Sequence, residues 1–389
     1  MRLGDVCTKI GSGATPKGGK EAYKPSGIPL IRSQNVLDWS FTSNGLAFVD
    51  EGQAAALANV EVEPRDILLN ITGDSVARAC MVPDWCTPAR VNQHVSIVRP
   101  GPDLDPTFLL CFLQSSKPLL LKLASSGATR NALTKGMIGD LEIELPNIET
   151  QRAIASLIGQ IQQKIVLNQQ TNDYLAEMAM TLFNRECPQS NEPNAMLSDI
   201  AQITMGQSPS GSSYNESGNG EVFYQGRAEF GAFFPRRRLF TTEPKRMAQE
   251  GDTLMSVRAP VGDLNIANEN CCIGRGLAAI HSEDNQSFIH YLVRAQGRPL
   301  DTFNGDGTVF GSINGKALKE LSVFLPGNDV ISRLESQLKS IDALIRRNDD
   351  EMQALERMRD TLLPRLFSGE INVSKVELLM QPNNHLCVG

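Results

Sequence analysis

A heptad-like run of apolar residues that occurs twice, 180 residues apart, constrains this chain more than any other feature. In the first copy, from Glu149 to Arg185, the run follows alternating steps of four and three, and the second copy, from Asp329 to Arg365, keeps the same register. Such spacing is typical of a coiled-coil seam. The seam positions are Ile154, Ile158, Ile161, Ile165, Asn168, Asn172, Leu175, Ala179 and Leu182, then Leu334, Leu338, Ile341, Ile345, Asn348, Met352, Leu355, Arg359 and Leu362.

Two long helices that pair with each other satisfy this pattern. A helix of ~35 residues spans ~52 Å, so each helix would act as a spacer. Asn168 and Asn348 each lie near the middle of their helix, and an antiparallel pairing would bring them close enough to fix the register; a wet edge of the seam is the alternative position. Apolar residues also widen the seam on its outer side: Leu157, Met178, Leu344 and Met358.

The repeat extends upstream of the helices. Leu141 and Pro146 recur as Leu321 and Pro326, and further upstream the offset grows from 180 to 194, which indicates loop insertions in the first copy. A period this long indicates a duplication. The chain therefore consists of a globular module, a long helix, a second globular module and a second long helix. The predicted boundaries are 1–146 and 195–326 for the modules, 147–187 and 328–369 for the helices, and 370–389 for a tail.

Within each module, short β-like runs alternate with turn residues, which predicts a mixed α/β fold. Residues 107–114 and 288–296 have helical spacing. Pro146 and Pro326 suit the entry into the long helices, and Pro364 and Gly369 are expected to end the second helix. The predicted strands are 28–31, 67–69, 95–98 and 141–145 in the first module, and 222–224, 253–255, 277–280 and 321–325 in the second.

Composition narrows the function classes. The 389 residues are 41% hydrophobic and 21% charged, as in soluble globular proteins. Because the eight cysteines form no Cys-x-x-Cys pair and the four histidines are scattered, we expect neither a disulfide framework nor a metal site. The first residues lack an apolar signal region and the longest apolar run is too short to span a bilayer, so we expect a cytoplasmic protein without membrane contact.

Charge is segregated along the chain. The net charge of −7 argues against a generic nucleic-acid binder, which usually has a basic domain. The basic windows lie in the modules, however: they are residues 9–32, residues 117–135 and Arg236-Arg237-Arg238, with Lys245 and Arg246 near the last.

The order of motifs resembles the specificity subunits of type I restriction-modification systems. Gly-Gln-Ser-Pro-Ser-Gly-Ser-Ser-Tyr-Asn from Gly206 is followed by Phe-Tyr-Gln-Gly from Phe223, and further matches lie at 27–32, 66–69, 274–280 and 362–370. In that family each module is a target-recognition domain that reads one half of a split DNA sequence. The resemblance therefore implies two α/β target-recognition domains separated by two long antiparallel coiled-coil helices, a pseudo-two-fold repeat.

The resemblance also assigns catalysis to partner proteins. In the family the helices dock two methyltransferase subunits, which use S-adenosylmethionine, and the full complex adds two restriction subunits that act as translocase and nuclease. This chain itself would need no cofactor, and it lacks the Asn-Pro-Pro-aromatic methyltransferase motif, a Gly-x-Ser-x-Gly elbow and a P-loop. The alternatives are a recognition subunit of a methyltransferase system without restriction subunits, and a non-catalytic protein-binding adaptor. A self-sufficient methyltransferase is disfavoured by the missing cofactor motif.

Modules that read double-stranded DNA need loop residues that reach base edges. Arginine suits guanine and asparagine or glutamine suits adenine, whereas lysines neutralise phosphates. The first module has Asn-Gln-His at 92–94 where the second has Gly-Arg-Gly at 274–276, so their contacts need not correspond. The candidates are Lys17, Lys20, Lys24, Arg32, Gln34, Asn35, Asn92, Gln93, Arg130, Asn131 and Lys135 in the first module, and Gln207, Gln225, Arg227, Arg236, Arg237, Arg238, Arg258 and Arg275 in the second.

Overall fold

The computed structural model describes residues 1–125, 131–297, 300, 302–304 and 311–371, except for the side chains of residues 19 and 20. Contacts divide the chain into two units. Unit 1 contains residues 1–166 and those from 353 onward, and unit 2 contains residues 167–352. Each unit therefore holds one module and part of each long helix.

The two long helices run from Ile148 to Glu186 and from Asn328 to Phe367, which confirms the predicted pair. Pro364 lies inside the second helix, so the prediction that it ends this helix is wrong. Because proline has no N–H, Pro364 removes one backbone hydrogen bond. The loss is small because it falls in the last turn of the helix. Gly369, with φ of 73°, supplies the left-handed residue beyond the helix end.

Side-chain contacts join the two long helices in each unit, and the two contacts in unit 2 show an antiparallel pairing. In unit 1, Arg359 Nη1 donates to Gln162 Oε1 at 2.7 Å. In unit 2, Asn168 Nδ2 donates to Glu351 Oε2 at 2.9 Å, and Arg333 Nη2 lies 3.0 Å from Glu186 Oε2. The residue number rises along one helix as it falls along the other, as antiparallel pairing requires.

The last turns of the long helices anchor the modules through aromatic contacts. The rings of Phe183 and Phe288 are 5.5 Å apart in unit 2. In unit 1, Phe367 lies 5.0 Å from Phe108. Because these aromatic side chains bury a large apolar area, each contact fixes a module to the end of a long helix.

The first module contains two four-stranded sheets, with the orders β1-β8-β5-β6 and β3-β2-β7-β4. Strands β2 and β7 are parallel, and the other neighbouring pairs are antiparallel. The strands are β1 Cys7–Ser12, β2 Ile28–Ile31, β3 Ala47–Val49, β4 Glu61–Val62, β5 Ile67–Asn70, β6 Ala79–Met81, β7 Ala89–Val91 and β8 Val95–Pro100.

The second module repeats this topology. Its sheets have the orders β10-β18-β15-β16 and β11-β13-β12-β17-β14, with β12 and β17 parallel, so the second sheet has one additional edge strand, β11. A short β9-β19 pair completes it. The strands are β9 Ala195–Met196, β10 Gln202–Met205, β11 Tyr214–Asn215, β12 Glu221–Tyr224, β13 Leu239–Thr241, β14 Met247–Ala248, β15 Thr253–Ser256, β16 Leu264–Ile266, β17 Cys271–Ile273, β18 Leu277–His281 and β19 Ser322–Val323.

Most predicted strands are present, but the strand predicted at 141–145 is wrong. Only an isolated bridge joins Glu142 to Arg2 there, because the opposite segment becomes helical at Leu3 and offers no extended partner for a ladder. The helices predicted at 107–114 and 288–296 are confirmed within two residues. The module helices are Leu3–Val6, Glu51–Ala56, Pro106–Ser115, Lys117–Ser125, Lys135–Gly139, Gln286–Arg294 and Gly315–Lys319.

The first sheet of each module is buried on both faces. In β5, Ile67 and Leu69 pack against the helices, whereas Leu68 between them packs against the second sheet. The same alternation places Met255 toward the helices and Leu254 toward the second sheet. Strand side chains point to opposite faces in turn, so a run of apolar residues fills both layers.

Candidate nucleic-acid interface

In the second module the candidate residues meet where two parallel strands end. Strands β12 and β17 end at Tyr224 and Ile273, and the N–H of Gly274 donates to the Tyr224 carbonyl at 2.9 Å. Gln225 follows β12 directly, and Arg275 follows β17 after Gly274. Because parallel strands end at the same edge of a sheet, two candidates that are 50 residues apart in the sequence lie close together.

The turn at 274–276 is held at each of its residues. The Gly274 carbonyl accepts from Leu277 N at 2.9 Å, Arg275 N donates to Ser208 Oγ at 3.2 Å, and the Gly276 carbonyl accepts from Val257 N at 2.9 Å. A Cβ at position 274 or 276 would lie 2.8 or 2.9 Å from the backbone oxygen of residue 225. Glycine is therefore needed on both sides of Arg275.

Further basic residues flank this turn. The carbonyl of Arg246 accepts from Ile273 N at 2.9 Å, and Arg258 forms a bridge with Ser312 directly after Val257. Both side chains are exposed, as are those of Lys245 and Arg275. We call Lys245, Arg246, Arg258 and Arg275 the basic edge of the second module.

Two glutamines accompany the basic edge. Gln207 is exposed, and its N–H donates to the Ile273 carbonyl at 3.0 Å. Gln225 is exposed at the end of β12. The edge therefore combines arginines with amide side chains, the residue types that form bidentate hydrogen bonds with bases.

The other arginine candidates of this module bind acidic side chains. Arg227 Nε lies 2.7 Å from Asp263 Oδ2. Arg238 pairs with the buried Glu229, and Arg237 pairs with Glu269. The hydrogen bond to Glu269 raises the pKa of Arg237 above its ordinary value. These ion pairs fix the loops beside the edge and compensate much of their charge.

Arg236 completes that run. Its side chain is exposed at the start of the basic segment. It precedes the two arginines whose acidic partners are named above, and its N–H donates to the Glu229 carbonyl at 2.8 Å. The run is thus tied to the module by its backbone as well as by its ion pairs.

The first module has the same edge with different chemistry. Asn92 N donates to the Ile31 carbonyl at 3.0 Å, so residues 92–94 occupy the place of 274–276. Gln93 accepts a hydrogen bond from Thr15 Oγ1, and His94 Nδ1 lies 2.6 Å from Thr72 Oγ1. Amide, hydroxyl and imidazole groups bind one another here, where the second module has the exposed Arg275.

The segment after β2 is organised by a buried asparagine. Asn35 is fully buried, and its Nδ2 donates to the carbonyls of Thr42 at 3.0 Å and Asn44 at 3.2 Å. Arg32 and Gln34 both donate to the Gly45 carbonyl. Asn35 therefore holds the loop, and the partly exposed Arg32 and exposed Gln34 are the side chains available at its surface.

Asn92 is also inside its module. It is 6% exposed, and its Oδ1 accepts from the His94 backbone N–H at 3.1 Å. Its place matches Gly274, which has no side chain to offer. The structure thus gives Asn92 a role in forming the turn, and leaves Gln93 as the exposed member of the pair.

The remaining candidates of the first module are scattered. Lys17 and Lys135 are exposed, and Lys24 lies 3.4 Å from Asp50. Asn131 is exposed near the end of β5, where its carbonyl accepts from Gly73 N at 3.2 Å. Arg130 and the Lys20 side chain lie outside the described residues.

Sequence reasoning missed Thr15, Thr72 and His94. A signal was available, because Gly-Ala-Thr-Pro at 13–16 and Gly-Gln-Ser-Pro at 206–209 share the pattern Gly-x-Ser/Thr-Pro. In both modules the hydroxyl of this pattern binds the turn after the second parallel strand, at Gln93 or at Arg275. Aligning the two copies at this motif would have identified these contacts.

The helix pair uses a different asparagine from the one expected. Asn348 Nδ2 donates to Asn172 Oδ1 at 2.8 Å, and Asn172 Nδ2 donates to the Ile345 carbonyl at 3.1 Å. Asn168 binds Glu351 instead. Asn168 and Asn348 thus lie on the seam but do not bind each other, and the fully buried Asn172 links the two helices.

Buried ionisable groups differ between the modules. Arg99 binds Asp66 with Nε and Nη2 at 2.7 and 2.8 Å, whereas the corresponding Asp252 binds His281 Nδ1 at 2.6 Å. Burial raises the pKa of Asp252 above its ordinary value. Burial also lowers the pKa of His290 to about 3, so this histidine is neutral near pH 7.

Two kinds of feature are absent from the described residues. Within residues 1–125, 131–297 and 311–371 no group of three or more histidine, cysteine, aspartate or glutamate side chains is arranged to hold a metal ion. In the same part of the chain, no helix is both long enough and apolar enough to cross a membrane.

Comparisons with known proteins agree with this architecture. Residues 1–177 match the family model of the type I restriction modification DNA specificity domain. The chain is 29% identical over 399 residues to the putative type I restriction enzyme MjaX specificity subunit of Methanocaldococcus jannaschii, covering 95% of this chain and 93% of that protein. The MjaIX specificity subunit of the same organism is 19% identical over 410 residues, covering 95% and 92%.

A solved structure supports the fold. The type I restriction-modification system S subunit from M. genitalium matches with a TM-score of 0.55 at 17% identity, covering 94% of this chain and 95% of that one. Together with the family model and the relatives, this finding confirms the resemblance to type I restriction-modification specificity subunits.

Proposed function

We propose that this relative of the type I restriction-modification specificity subunits reads DNA with the strand-end edges of its two modules. The observation that carries the proposal is the convergence of candidate residues at the ends of β12 and β17, matched by that at the ends of β2 and β7. Rigid strand ends that present arginine and amide groups suit direct contact with base edges.

The target that we propose is bipartite and asymmetric. The two edges share a backbone framework, but one presents Arg258 and Arg275 and the other presents Arg32, Gln34 and Gln93. Different side chains at matching places favour different bases. Two different half-sites, separated by bases that are not read, follow from this difference.

The partners that we propose dock on the outer side of the helices. In unit 2, Leu167 is 55% exposed and Tyr174 is 73% exposed on the first long helix, and Leu344 is 48% exposed on the second. An apolar surface of this kind is typical of a protein-binding site. Its occupants would be two methyltransferase subunits, joined in the full complex by two restriction subunits.

Catalysis in this proposal belongs to the partners. The methyltransferase subunits bind S-adenosylmethionine and methylate adenine after flipping it from the duplex, and the chain described here directs them to the right base in the cytoplasm. The chain itself carries no catalytic step and binds no cofactor. Its contribution is the free energy of binding that distinguishes one DNA sequence from another.

Module exchange tests the proposal. The chain is co-expressed with its methyltransferase, residues 1–146 are replaced by the module of another specificity subunit, and methylated adenines are mapped by long-read sequencing. We expect one half of the methylated motif to change and the other half to stay. The matched control, replacement of residues 195–326, should change the opposite half.

Two results would contradict the proposal. A change in both halves after a single exchange would refute independent reading by the modules. Absence of salt-dependent DNA binding by the assembled complex would favour a protein-binding adaptor, because neutralisation of phosphates always gives a salt dependence.

A further inference from the structure

We infer that Arg275 reads a guanine in the half-site of the second module. The inference rests on the proposed function and deepens it, because it assigns one base contact to one residue. Three observations on the second module carry it: the backbone of the turn, the partners of its side chains, and the groups around it.

The turn fixes the position from which Arg275 projects. The backbone N–H of Arg275 is bound to Ser208, and its two glycine neighbours are bound to Tyr224 and Val257. A base contact needs this precision, because a bidentate pair requires both nitrogens of the guanidinium to meet O6 and N7 together. A phosphate contact, which is a point-charge interaction, does not.

The side chain of Arg275 is available. It is exposed, and within the described part of the chain its guanidinium has no ion pair or hydrogen bond, unlike that of Arg227, which binds Asp263. Its counterpart in the first module, Gln93, binds Thr15. The second module therefore holds its arginine in a fixed turn without using it for stability.

The neighbours of Arg275 suit a base reader at the centre of a contact surface. Gln225 follows the end of β12, the Gln207 N–H binds the Ile273 carbonyl next to the turn, and Arg246 and Arg258 flank the turn. The flanking cations can neutralise phosphates on either side. Since phosphate contacts position a protein on the duplex and base contacts specify the sequence, the two roles fall to different residues of the basic edge.

The test compares Arg275→Lys, Arg275→Gln and Arg246→Gln in the full chain, each co-expressed with the methyltransferase. Methylated motifs are mapped in cells, and methylation rates are measured on oligonucleotides that carry each of the four bases at each position of the second half-site. Arg275→Lys keeps the charge but lacks the planar fork.

We expect the wild type to require guanine at one position of the second half-site. In both Arg275 variants, the ratio of the methylation rate with guanine to the rate with another base at that position should fall by about 5-fold to 150-fold, the range of one good bidentate pair. The first half of the motif should stay unchanged and reports that the variants fold and assemble. Arg246→Gln should instead keep the methylated motif and lower the salt dependence of DNA binding, by about 1 in the slope of log K against log salt.

The outcomes separate the two proposals. An unchanged base preference in both Arg275 variants, with methylation intact, would overturn the role of Arg275 and leave the proposed function standing. A loss that is equal for all four bases and matches Arg246→Gln would assign Arg275 to a phosphate. Wild-type methylation without any sequence requirement would refute the proposed function itself.

Discussion

The two modules share one strand order but differ in the partners of a buried aspartate and in the side chains at the strand-end edge. Asp66 binds the guanidinium of Arg99, whereas Asp252 binds the imidazole of His281. The strand-end edges also differ. Gln93 in the first module is hydrogen-bonded to Thr15, whereas Arg275 in the second module is exposed. Interior pairs have changed while keeping the fold, and edge residues have changed in a way that alters what the edge can bind.

The interior difference extends to the helix that covers the first sheet. Thr253 Oγ1 lies 3.3 Å from His290 Nδ1 in the second module. The repeat offsets place Ile67 and Leu110 at these positions in the first module, and both are buried. The first module thus has two aliphatic side chains at these positions. The second has a polar pair, and the protonation state of its histidine affects stability.

The largest expected difference concerns the buried aspartates. Asp66→Asn removes the bidentate carboxylate from Arg99, which keeps Glu63 as its other ion-pair partner, and we expect a loss of about 3 kcal/mol in the unfolding free energy of unit 1, because two charge-assisted hydrogen bonds of a buried carboxylate are lost. Asp252→Asn keeps an acceptor oxygen for the imidazole of His281, so we expect a loss of about 1 kcal/mol in unit 2. Peptide-resolved hydrogen exchange in the full chain measures both values.

Each aspartate variant is the control for the other. Both aspartates also accept a backbone N–H, from Glu63 and from Gln249, each at 2.8 Å, so that shared contact cancels in the comparison. Equal losses in the two units would show that the identity of the cation partner does not matter.

A second prediction concerns acid pH. The folded-state pKa of His290 is about 3, below the value of about 6.5 for an unfolded histidine, so the stability it contributes is present above pH 6.5 and is lost as the pH falls toward 3. At pH 5 that loss is about 2 kcal/mol. His290→Leu copies the first module and should remove this contribution from unit 2.

Hydrogen exchange of wild type and His290→Leu at pH 7 and pH 5 measures the difference. The comparison is made between proteins because Asp252, Glu335 and Asp342 have pKa values raised by burial and act in the opposite direction in both. Peptides of unit 1 are the internal reference. An identical pH dependence in the two proteins would mean that His290 is not held neutral.

The smallest expected effect concerns salt. Lys245→Gln with Arg246→Gln removes two exposed cations from the basic edge and should lower the slope of log K against log salt by about 2 for DNA binding by the assembled complex. Lys17→Gln with Lys24→Gln in the first module should change it by less than about 1, since Lys24 already binds Asp50. A larger effect in the first module would reverse the assignment of the more basic surface.

The long helices and most strands could be predicted because their signals are local. Apolar residues at steps of three and four, or runs such as Ile67-Leu68-Leu69, report the period of the element that contains them. The strand predicted at 141–145 was wrong because a strand needs an extended partner, and the segment opposite it becomes helical at Leu3. Pro364 was misplaced because a helix tolerates proline in its final turn.

The residue types of the candidate interface could be predicted from the sequence, but the partner of each side chain could not. Residue type makes Arg258 and Arg275 candidates, yet it does not distinguish them from Arg237 and Arg238, whose acids lie 32 and nine residues away along the chain. Burial of Asn35 also depends on distant backbone. Ion pairing and burial are properties of the folded chain, so sequence alone selects candidates and the strand-end geometry sorts them.

The division of the chain into units has a consequence for its synthesis. Unit 2 is one continuous segment, whereas unit 1 needs residues from both ends of the chain, including Phe367 against Phe108. As a nascent chain leaves the ribosome, the second module can complete its contacts with its own helix segments before the first module receives its last helix turns. The part of the protein that is made first is therefore finished last, and a chain that stops before residue 353 would leave Ile154, Ile158 and Phe108 without the apolar residues that cover them.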